Sequence, residues 1–273
     1  MRARLISAAV GIAIMITMLI FHNTIFLPVM VSAMIAVMLF ELLRAVKLDK
    51  CIPILIASEI CGISMPFIYN HNFKYISFIG KVNVLTEKLH LISFTITLLS
   101  AFVIFITWLN QHKKIRYEQI FFALASMILV PQAMTTMVRI NRNGLNHGVF
   151  LLVMGLCGAW IADSGAYFTG ITLGKHKLCP EISPKKTIEG FIGGIISTAV
   201  VFVIAFFVYN RFIAENPMEL GIARYIAVAV IGMVCAVIGT VGDLSASMIK
   251  RQIGFKDYGK IMPGHGGLMD RFD

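Results

Sequence analysis

Apolar residues fill eight long blocks along the chain, and short polar segments separate one block from the next. Leu, Ile, Val, Phe, Ala and Met dominate each block, which runs for about 17–25 residues, the length that crosses a hydrocarbon core as a helix. A transmembrane β-barrel would instead show short segments of alternating polarity. The pattern therefore predicts eight membrane-spanning helices, over 5–21, 25–43, 52–69, 89–109, 119–138, 148–172, 191–210 and 222–244.

The composition supports a membrane protein. Hydrophobic residues make up 58% of the 273 positions, and charged residues make up only 14%. A soluble domain of this length cannot bury so much apolar surface, so the bilayer must be the solvent for most of it. We therefore predict an all-α, polytopic integral membrane protein.

Positive charge predicts the orientation of the helices. If the N-terminus lies inside, the inner segments carry 17 Lys and Arg residues and the outer segments carry 7. Cytoplasmic segments of membrane proteins carry such an excess, so the N-terminus is predicted to be cytoplasmic. This topology and contact with anionic lipid headgroups explain the net charge of +10 without nucleic acid as a partner.

A charge within a membrane span is costly and usually faces a partner or a cavity, and three acidic residues of the predicted spans are candidates for such a role: Glu59, Asp163 and Asp243. Glu59 stands alone in the third span, and either a structural hydrogen bond or a function explains it. Asp163 lies four residues before Tyr167, so the two share a helix face. Asp243 is predicted to lie at the end of the eighth span.

With this topology, Asp163 and Asp243 lie near the inner ends of their spans, and three polar segments follow them on that side: GKHKLCPEISPKKTIEGFIGG, KRQIGFKD and PGHGGLMDRFD. Lys and Arg suit phosphate oxygens, and glycines let backbone N–H groups approach an anion closely. Aspartates beside such cations indicate a divalent ion such as Mg²⁺. A lysine-rich loop alone is usually only a topology signal. The conjunction of these features predicts a phosphate-and-metal site at the inner membrane surface.

The run SMIKRQIGFKDYGKIMPGHGGLMDRFD closely resembles the signature of the CDP-diacylglycerol synthases (phosphatidate cytidylyltransferases). That signature has a Ser, a Lys-Arg pair, a Lys-Asp pair, a Pro-x-His-Gly-Gly loop and an Asp-Arg-x-Asp ending. The matching residues are Ser247, Lys250, Arg251, Lys256, Asp257, Pro263, His265, Gly266, Gly267, Asp270, Arg271 and Asp273. Met262 occupies a position that is usually Leu, Ile or Phe, a change that preserves its apolar character.

Two earlier stretches, ADSGAYFTGITLGKHKL and SPKKTIEGFIGG, also resemble this family. Their matching residues are Asp163, Lys175, Lys177, Ser183, Pro184, Lys186, Thr187, Glu189 and Gly190. All the motifs lie within about the last 110 residues. We therefore expect N-terminal transmembrane helices over 1–147 and a C-terminal catalytic transmembrane region with nucleotide- and phosphate-binding loops over 148–273.

The resemblance implies that CTP and phosphatidate react to give CDP-diacylglycerol and pyrophosphate, with Mg²⁺ present as two divalent ions. The expected catalytic residues are Asp163, Asp243, Asp270, Lys250 and Arg271, and the three aspartates are also the expected metal ligands. Substrate binding is expected from Ser183, Lys186, Thr187, Arg251, Lys256, His265, Gly266 and Gly267. His265 either orients a phosphate or braces its loop.

Two alternative functions stay open at this point. One is another CTP-using membrane lipid enzyme, such as a polyprenol kinase. The other is an ion-coupled transporter, which would spread its polar residues through several mid-membrane spans and repeat its halves. The polar residues crowd onto one side of the C-terminal region instead, and no repeat is evident.

The resemblance also sets expectations for location and partners. We expect a multi-pass protein of a bacterial inner membrane with its active site facing the cytoplasm. The expected partners are CTP, phosphatidate and membrane lipids, with no nucleic acid, and assembly into a homodimer is left open. Family members usually continue past Asp-Arg-x-Asp into a last membrane helix, so the chain is either naturally short or a fragment.

Overall fold

The structure is a computed structural model that describes residues 2–70, 82–144, 147–214, 218, 221–259, 261 and 266–272. Side chains within residues 2–8 and 82–87 and that of residue 143 lie outside the description. The described α-helices are α1 (Arg2–Ile20), α2 (Phe26–Ala45), α3 (Ile52–Ile68), α4 (Val82–Asn110), α5 (Tyr117–Asn143), α6 (Gly148–Leu173), α7 (Ile188–Val208), α8 (Ile222–Ile253) and the short α9 (Met269–Phe272). A π-helical segment, Tyr209–Ile213, follows α7 directly. The described strands are β1 (Lys177–Cys179) and β2 (Ser183–Thr187).

The helices confirm an all-α, multi-pass membrane fold, because each of the eight predicted spans coincides with a helix. In the described part of the chain, six helices are long and apolar enough to cross a membrane. The other two apolar stretches, Ala9–Ile20 in α1 and Ile52–Ile68 in α3, are shorter. The 17 residues of α3 rise roughly 26 Å at 1.5 Å per residue, slightly less than a typical hydrocarbon core.

Two helix boundaries differ from the prediction. The eighth span was predicted to end at residue 244, but α8 continues to Ile253, so Asp243 lies inside a helix and not at its end. No residue after Asp243 breaks the helix until Gly254, which adopts a φ of 84° and closes it with a left-handed cap. The fourth span was predicted to begin at residue 89, but α4 begins at Val82. Glu87 and Lys88 interrupt the apolar pattern, but both residue types favour a helix, so the helix extends through them.

The chain divides into two compact units. Unit 1 comprises Met1–Leu145 together with Phe255–Phe272, and unit 2 comprises Asn146–Gly254. The division into an N-terminal and a catalytic region at residues 147 and 148 concerns function and stays a prediction.

In unit 1, α3 packs against α2, α4 and α5, and α2 also packs against α5. Gly62 of α3 makes the closest approach to α2. A Cβ added at Gly62 would lie 2.6 Å from Leu39 and 2.7 Å from Ile35, both fully buried in α2. The glycine therefore lets these two helices pack side chain against backbone.

In unit 2, α6 and α7 form an antiparallel pair joined by small residues. Gly158, in the first half of α6, meets Phe202 in the second half of α7, while Gly170, near the end of α6, meets Gly190 near the start of α7. Gly194 lies so close to α6 that a Cβ there would lie 2.8 Å from the Ala162 carbonyl oxygen. Small residues let membrane helices approach closely in this way.

The pair α7 and α8 is also antiparallel. Phe206 near the end of α7 contacts the ring of Tyr225 near the start of α8, at 5.4 Å between centroids. Gly232, further along α8, meets Ala199, which precedes Phe206 in α7. Because α6 and α8 each run antiparallel to α7, they run parallel to each other.

A β-hairpin that the apolar pattern does not predict connects α6 to α7. β1 and β2 pair antiparallel, with Lys177 opposite Thr187 and Cys179 opposite Ser183. The pattern indicated only a polar loop here, because β2 contains a proline and two lysines in place of alternating apolar residues. The hairpin ends directly at the first residue of α7, so it gives this loop a defined geometry.

Candidate active site

Lys186 of β2 and Asp243 of α8 form an ion pair in unit 2. The distance between Lys186 Nζ and Asp243 Oδ2 is 2.5 Å, and the two side chains are 25% and 36% exposed. The Nζ atom itself is buried. It is close enough to Asp243 Oδ2 for an ion pair, but the geometry of the contact does not meet the angle criteria of a hydrogen bond. The hairpin thus places a cation, which can still donate hydrogen bonds, beside a carboxylate inside a membrane helix.

Asp163 lies at the same level of the bundle as Asp243. Ala159 of α6 and Gly239 of α8 are in contact, since a Cβ at Gly239 would lie 3.8 Å from the Ala159 Cβ. Each aspartate lies four residues, about one turn, further along its helix. Because the two helices run parallel, both aspartates lie one turn beyond this contact toward the same end. Two of the three predicted acidic ligands are therefore brought to one region of unit 2.

Hydrogen bonds fix the hairpin to the first turn of α7. The Thr187 Oγ1 atom accepts the backbone N–H of Gly190 at 3.1 Å, which makes Thr187 the N-cap. The Glu189 carboxylate accepts the backbone N–H groups of Lys175, at 3.1 Å, and His176, at 3.2 Å. His176 Nδ1 also lies 2.6 Å from Glu189 Oε1. The strand that carries Lys186 is therefore held at the point where it enters the helix.

The predicted substrate-binding residues of β2 differ in burial. Ser183 and Lys186 are half-buried and Thr187 is buried, whereas Lys185 is exposed. Thr187 serves as the N-cap of α7, so its hydroxyl is engaged in a structural hydrogen bond. Lys186 is the residue of this group that contacts another predicted site residue.

The last turns of α8 carry two further predicted cations. Lys250 lies seven residues after Asp243, about two turns, and therefore on the same face of the helix. Lys250 is half-buried and Arg251 is exposed. Both lie in the last turn of α8, where a positive charge also interacts favourably with the helix dipole. This placement suits a phosphate contact, and it also suits a helix-stabilising role.

Asp270 in unit 1 holds the terminal loop by its backbone. The Asp270 Oδ2 atom accepts the N–H groups of Tyr258 at 2.8 Å and Gly267 at 2.9 Å. Asp270 is only 9% exposed. The preceding Gly266 has a φ of 87°, a conformation that favours glycine, and a Cβ there would lie 2.9 Å from Asp270 Oδ2. Three predicted site residues of this loop, Asp270, Gly266 and Gly267, are thus in contact.

Glu41 of α2 contacts the same loop, and the sequence analysis missed it. Glu41 is 1% exposed. Its Oε2 accepts the N–H of Met269 at 2.9 Å, and its Oε1 accepts that of Leu268 at 3.2 Å. Glu41 lies within the predicted second span, so the same rule that singled out Glu59 would have found it.

The remaining predicted residues lie in unit 1 or outside the described chain. Lys256 and Arg271 are exposed in unit 1. His265 lies outside the described residues, as do Pro263 and Asp273 of the signature. The predicted roles of these residues stay predictions.

The predicted carboxylates suit a divalent ion whose coordination shell is completed by substrate phosphates. Among the described residues, no three of His, Cys, Asp and Glu gather as a ready-made metal cage. Mg²⁺ is usually bound by one or two carboxylates together with substrate phosphates, so a complete cage is not required. Asp163 and Asp243 offer that donor set in unit 2. Asp270 is oriented by two backbone N–H groups, as carboxylate ligands of metals commonly are.

Comparisons with known proteins identify relatives along the whole chain. A family model described as the cytidylyltransferase family matches residues 2–273. The phosphatidate cytidylyltransferase of Bacillus subtilis is 31% identical over 273 residues, which cover 100% of this chain and 93% of the relative. That of Staphylococcus epidermidis is 30% identical over 260 residues, 91% of this chain and 89% of the relative. That of Haemophilus influenzae is 41% identical over 127 residues, 46% of this chain and 42% of the relative.

The fold and the polar clusters define a multi-pass membrane protein in which a lysine of the hairpin pairs with an aspartate of a long apolar helix. The chain belongs to the cytidylyltransferase family, because the family model covers nearly all of it and two curated relatives align over almost their full length. The family resemblance inferred from the motifs is confirmed.

Proposed function

We propose that this protein is a nucleotidyltransferase that converts CTP and phosphatidate to CDP-diacylglycerol and pyrophosphate in phospholipid biosynthesis. The observation that carries the proposal is the contact between Lys186 and Asp243, in a chain of this family. It joins the hairpin motif to α8, two stretches that are far apart in the sequence. The relatives named above are phosphatidate cytidylyltransferases, which supports the same substrates here.

In the proposed reaction, a phosphate oxygen of phosphatidate attacks the α-phosphorus of CTP. A new phosphorus–oxygen bond forms, the bond from the α-phosphorus to the oxygen shared with the β-phosphate breaks, and pyrophosphate leaves. A phosphate monoester is largely ionised at neutral pH, so the reaction requires no strong general base. The protein's main tasks are therefore to neutralise charge and to align the two substrates.

We assign the neutralising role to the cations of the motifs. Lys186 donates to a substrate phosphate from its buried position beside Asp243. Lys250, Arg251 and Arg271 bind further phosphate oxygens, and a planar guanidinium can bind two of them at once. Ser183, Lys256, His265 and the Gly266–Gly267 backbone keep their predicted roles in substrate binding.

We propose Asp163 and Asp243 as carboxylates that would hold Mg²⁺, and Asp270 keeps its predicted role as a ligand. When bound, such an ion would neutralise phosphate charge and polarise the α-phosphate of CTP. Lys186 supplies a countercharge to Asp243. We further propose that the protein lies in a bacterial inner membrane with this chemistry at its cytoplasmic side. A measurement of the particle mass in detergent would show whether the protein forms a homodimer.

The test is transfer of label from CTP by the purified protein in detergent, with phosphatidate and Mg²⁺. Label from the α-phosphate of CTP should enter the lipid fraction, and label from the γ-phosphate should not. A kinase would give the opposite result, with γ-label in the lipid. Absence of label in the lipid from either position, under conditions where a relative is active, would refute the proposal.

A further inference from the structure

We propose that Glu41 is a positioning residue for the reaction, because its carboxylate sets the position of the loop that carries Asp270. This inference rests on the proposed function. Glu41 belongs to α2, a helix outside the motif stretches that carry the family resemblance. A helix that carries none of the recognised motifs would therefore help to position the loop of the proposed metal ligand Asp270.

The contacts of Glu41 are specific to the loop backbone. The carboxylate uses both oxygens, Oε1 for the N–H of Leu268 and Oε2 for the N–H of Met269. Hydrogen bonds to a carboxylate are shorter and stronger than those between neutral groups. Because Glu41 is almost completely buried, these contacts replace its hydration, and the two amides in turn depend on Glu41.

Two glycines allow this approach. A Cβ at Gly259 or at Gly267 would collide with the Glu41 carboxylate. Any other residue at these positions would displace either the acid or the loop. The loop backbone therefore packs against the Glu41 carboxylate at two positions, in addition to the two hydrogen bonds that it donates.

Gly267 connects Glu41 to Asp270. The Gly267 N–H donates to Asp270 Oδ2, and the same residue packs against Glu41. The next two N–H groups in the chain donate to Glu41. A shift of Glu41 would therefore move Gly267, and with it the carboxylate of Asp270. A residue that only stabilised the fold would not need to lie next to the proposed metal ligand.

The experiment compares Glu41→Gln with Glu118→Gln in the full-length protein. Glutamine keeps the size of Glu41 but replaces one accepting oxygen with an NH₂ group, which faces a backbone N–H. Glu118 is an acid of the same unit that makes only an exposed ion pair with Arg116 at 2.9 Å, so its variant controls for the loss of a charge. The measurements are the Mg²⁺ concentration for half-maximal transfer, and hydrogen–deuterium exchange of the 266–272 peptide without substrate.

For Glu41→Gln we expect faster exchange in the 266–272 peptide and about a tenfold rise in the half-maximal Mg²⁺ concentration, as for the loss of other residues that orient metal ligands. Glu118→Gln should change neither. The inference is overturned if both readouts match the wild type, or if activity falls only in proportion to the loss of folded protein. Wild-type protein that transfers no α-label contradicts the proposed function itself, whereas faster exchange in Glu41→Gln is observed independently of activity.

Discussion

Lys186 Nζ lies 2.5 Å from Asp243 Oδ2, and this contact joins the hairpin before α7 to the C-terminal third of the membrane helix α8. Neither charge is stable alone in such a setting, since an uncompensated buried charge is strongly destabilising. In the proposed reaction, substrate phosphates would compete with Asp243 for Lys186, and Asp243 would then be free to bind the proposed divalent ion.

Replacement of Lys186 should reduce activity far more than replacement of its neighbour. We expect Lys186→Ala to lower kcat/KM at least about tenfold, equivalent to about 1.4 kcal/mol, because a half-buried ammonium beside a carboxylate is lost. Lys185 is exposed, so Lys185→Ala should cost much less. Steady-state kinetics with CTP and phosphatidate measure both. Equal, mild losses would mean that the lysines only set the membrane topology.

Asp270→Asn tests the metal-ligand role of Asp270 against a purely structural one. The asparagine oxygen can still accept the N–H groups of Tyr258 and Gly267, so the folded protein should persist in the membrane. The charge is lost, and we expect turnover to be abolished. The measurements are Mg²⁺-dependent activity and melting temperature.

Arg271→Ala is the comparison for Asp270→Asn, because it removes the neighbouring exposed charge and keeps the hydrogen bonds that Asp270 accepts from Tyr258 and Gly267. If Asp270 only pins the loop to Arg271, the two variants should be equally damaging and insensitive to metal. Near-normal, Mg²⁺-dependent activity of Asp270→Asn would rule out the ligand role.

The sequence predicts the helices well and their local contacts less well, for physical reasons that particular residues show. A helix in lipid must satisfy its backbone internally, so an apolar block of sufficient length is a strong signal, and all eight blocks are helical. The end of α8 was placed too early because polarity, which marks the membrane boundary, does not end a helix. Gly254 does, through its left-handed conformation.

Two parts of the candidate site depend on contacts between distant segments, which no local pattern encodes. The hairpin is stabilised by Glu189, which binds the backbone at Lys175 and His176 from the start of the next helix. Glu41 lies 227 positions before its partner Leu268. The motifs could name Asp270 and Gly267, but only the folded chain shows that a carboxylate of α2 holds them.

The close packing of α6 and α7 predicts a position-specific effect of alanine. Gly194→Ala should lower stability by about 1–3 kcal/mol, because its Cβ would lie 2.8 Å from the Ala162 carbonyl oxygen. Gly155→Ala, in α6, is the matched control, because a Cβ there meets nothing within 4 Å. Thermal unfolding in detergent compares the two. Equal melting temperatures would contradict the close helix contact.

The predicted topology requires the hairpin and the terminal loop to lie on the cytoplasmic side. Lys185 and Lys256 are both exposed and so make suitable positions for single cysteines in a background without the five native ones. We expect Lys185→Cys and Lys256→Cys to react with a membrane-impermeant reagent only from the cytoplasmic side.

Arg224→Cys supplies the opposite outcome within the same experiment. Arg224 is exposed at the start of α8, whose 32 residues rise about 48 Å, enough to cross the membrane. It should therefore react only from the outer side. Labelling of positions 185 and 256 from opposite sides would contradict the topology inferred from the positive charges.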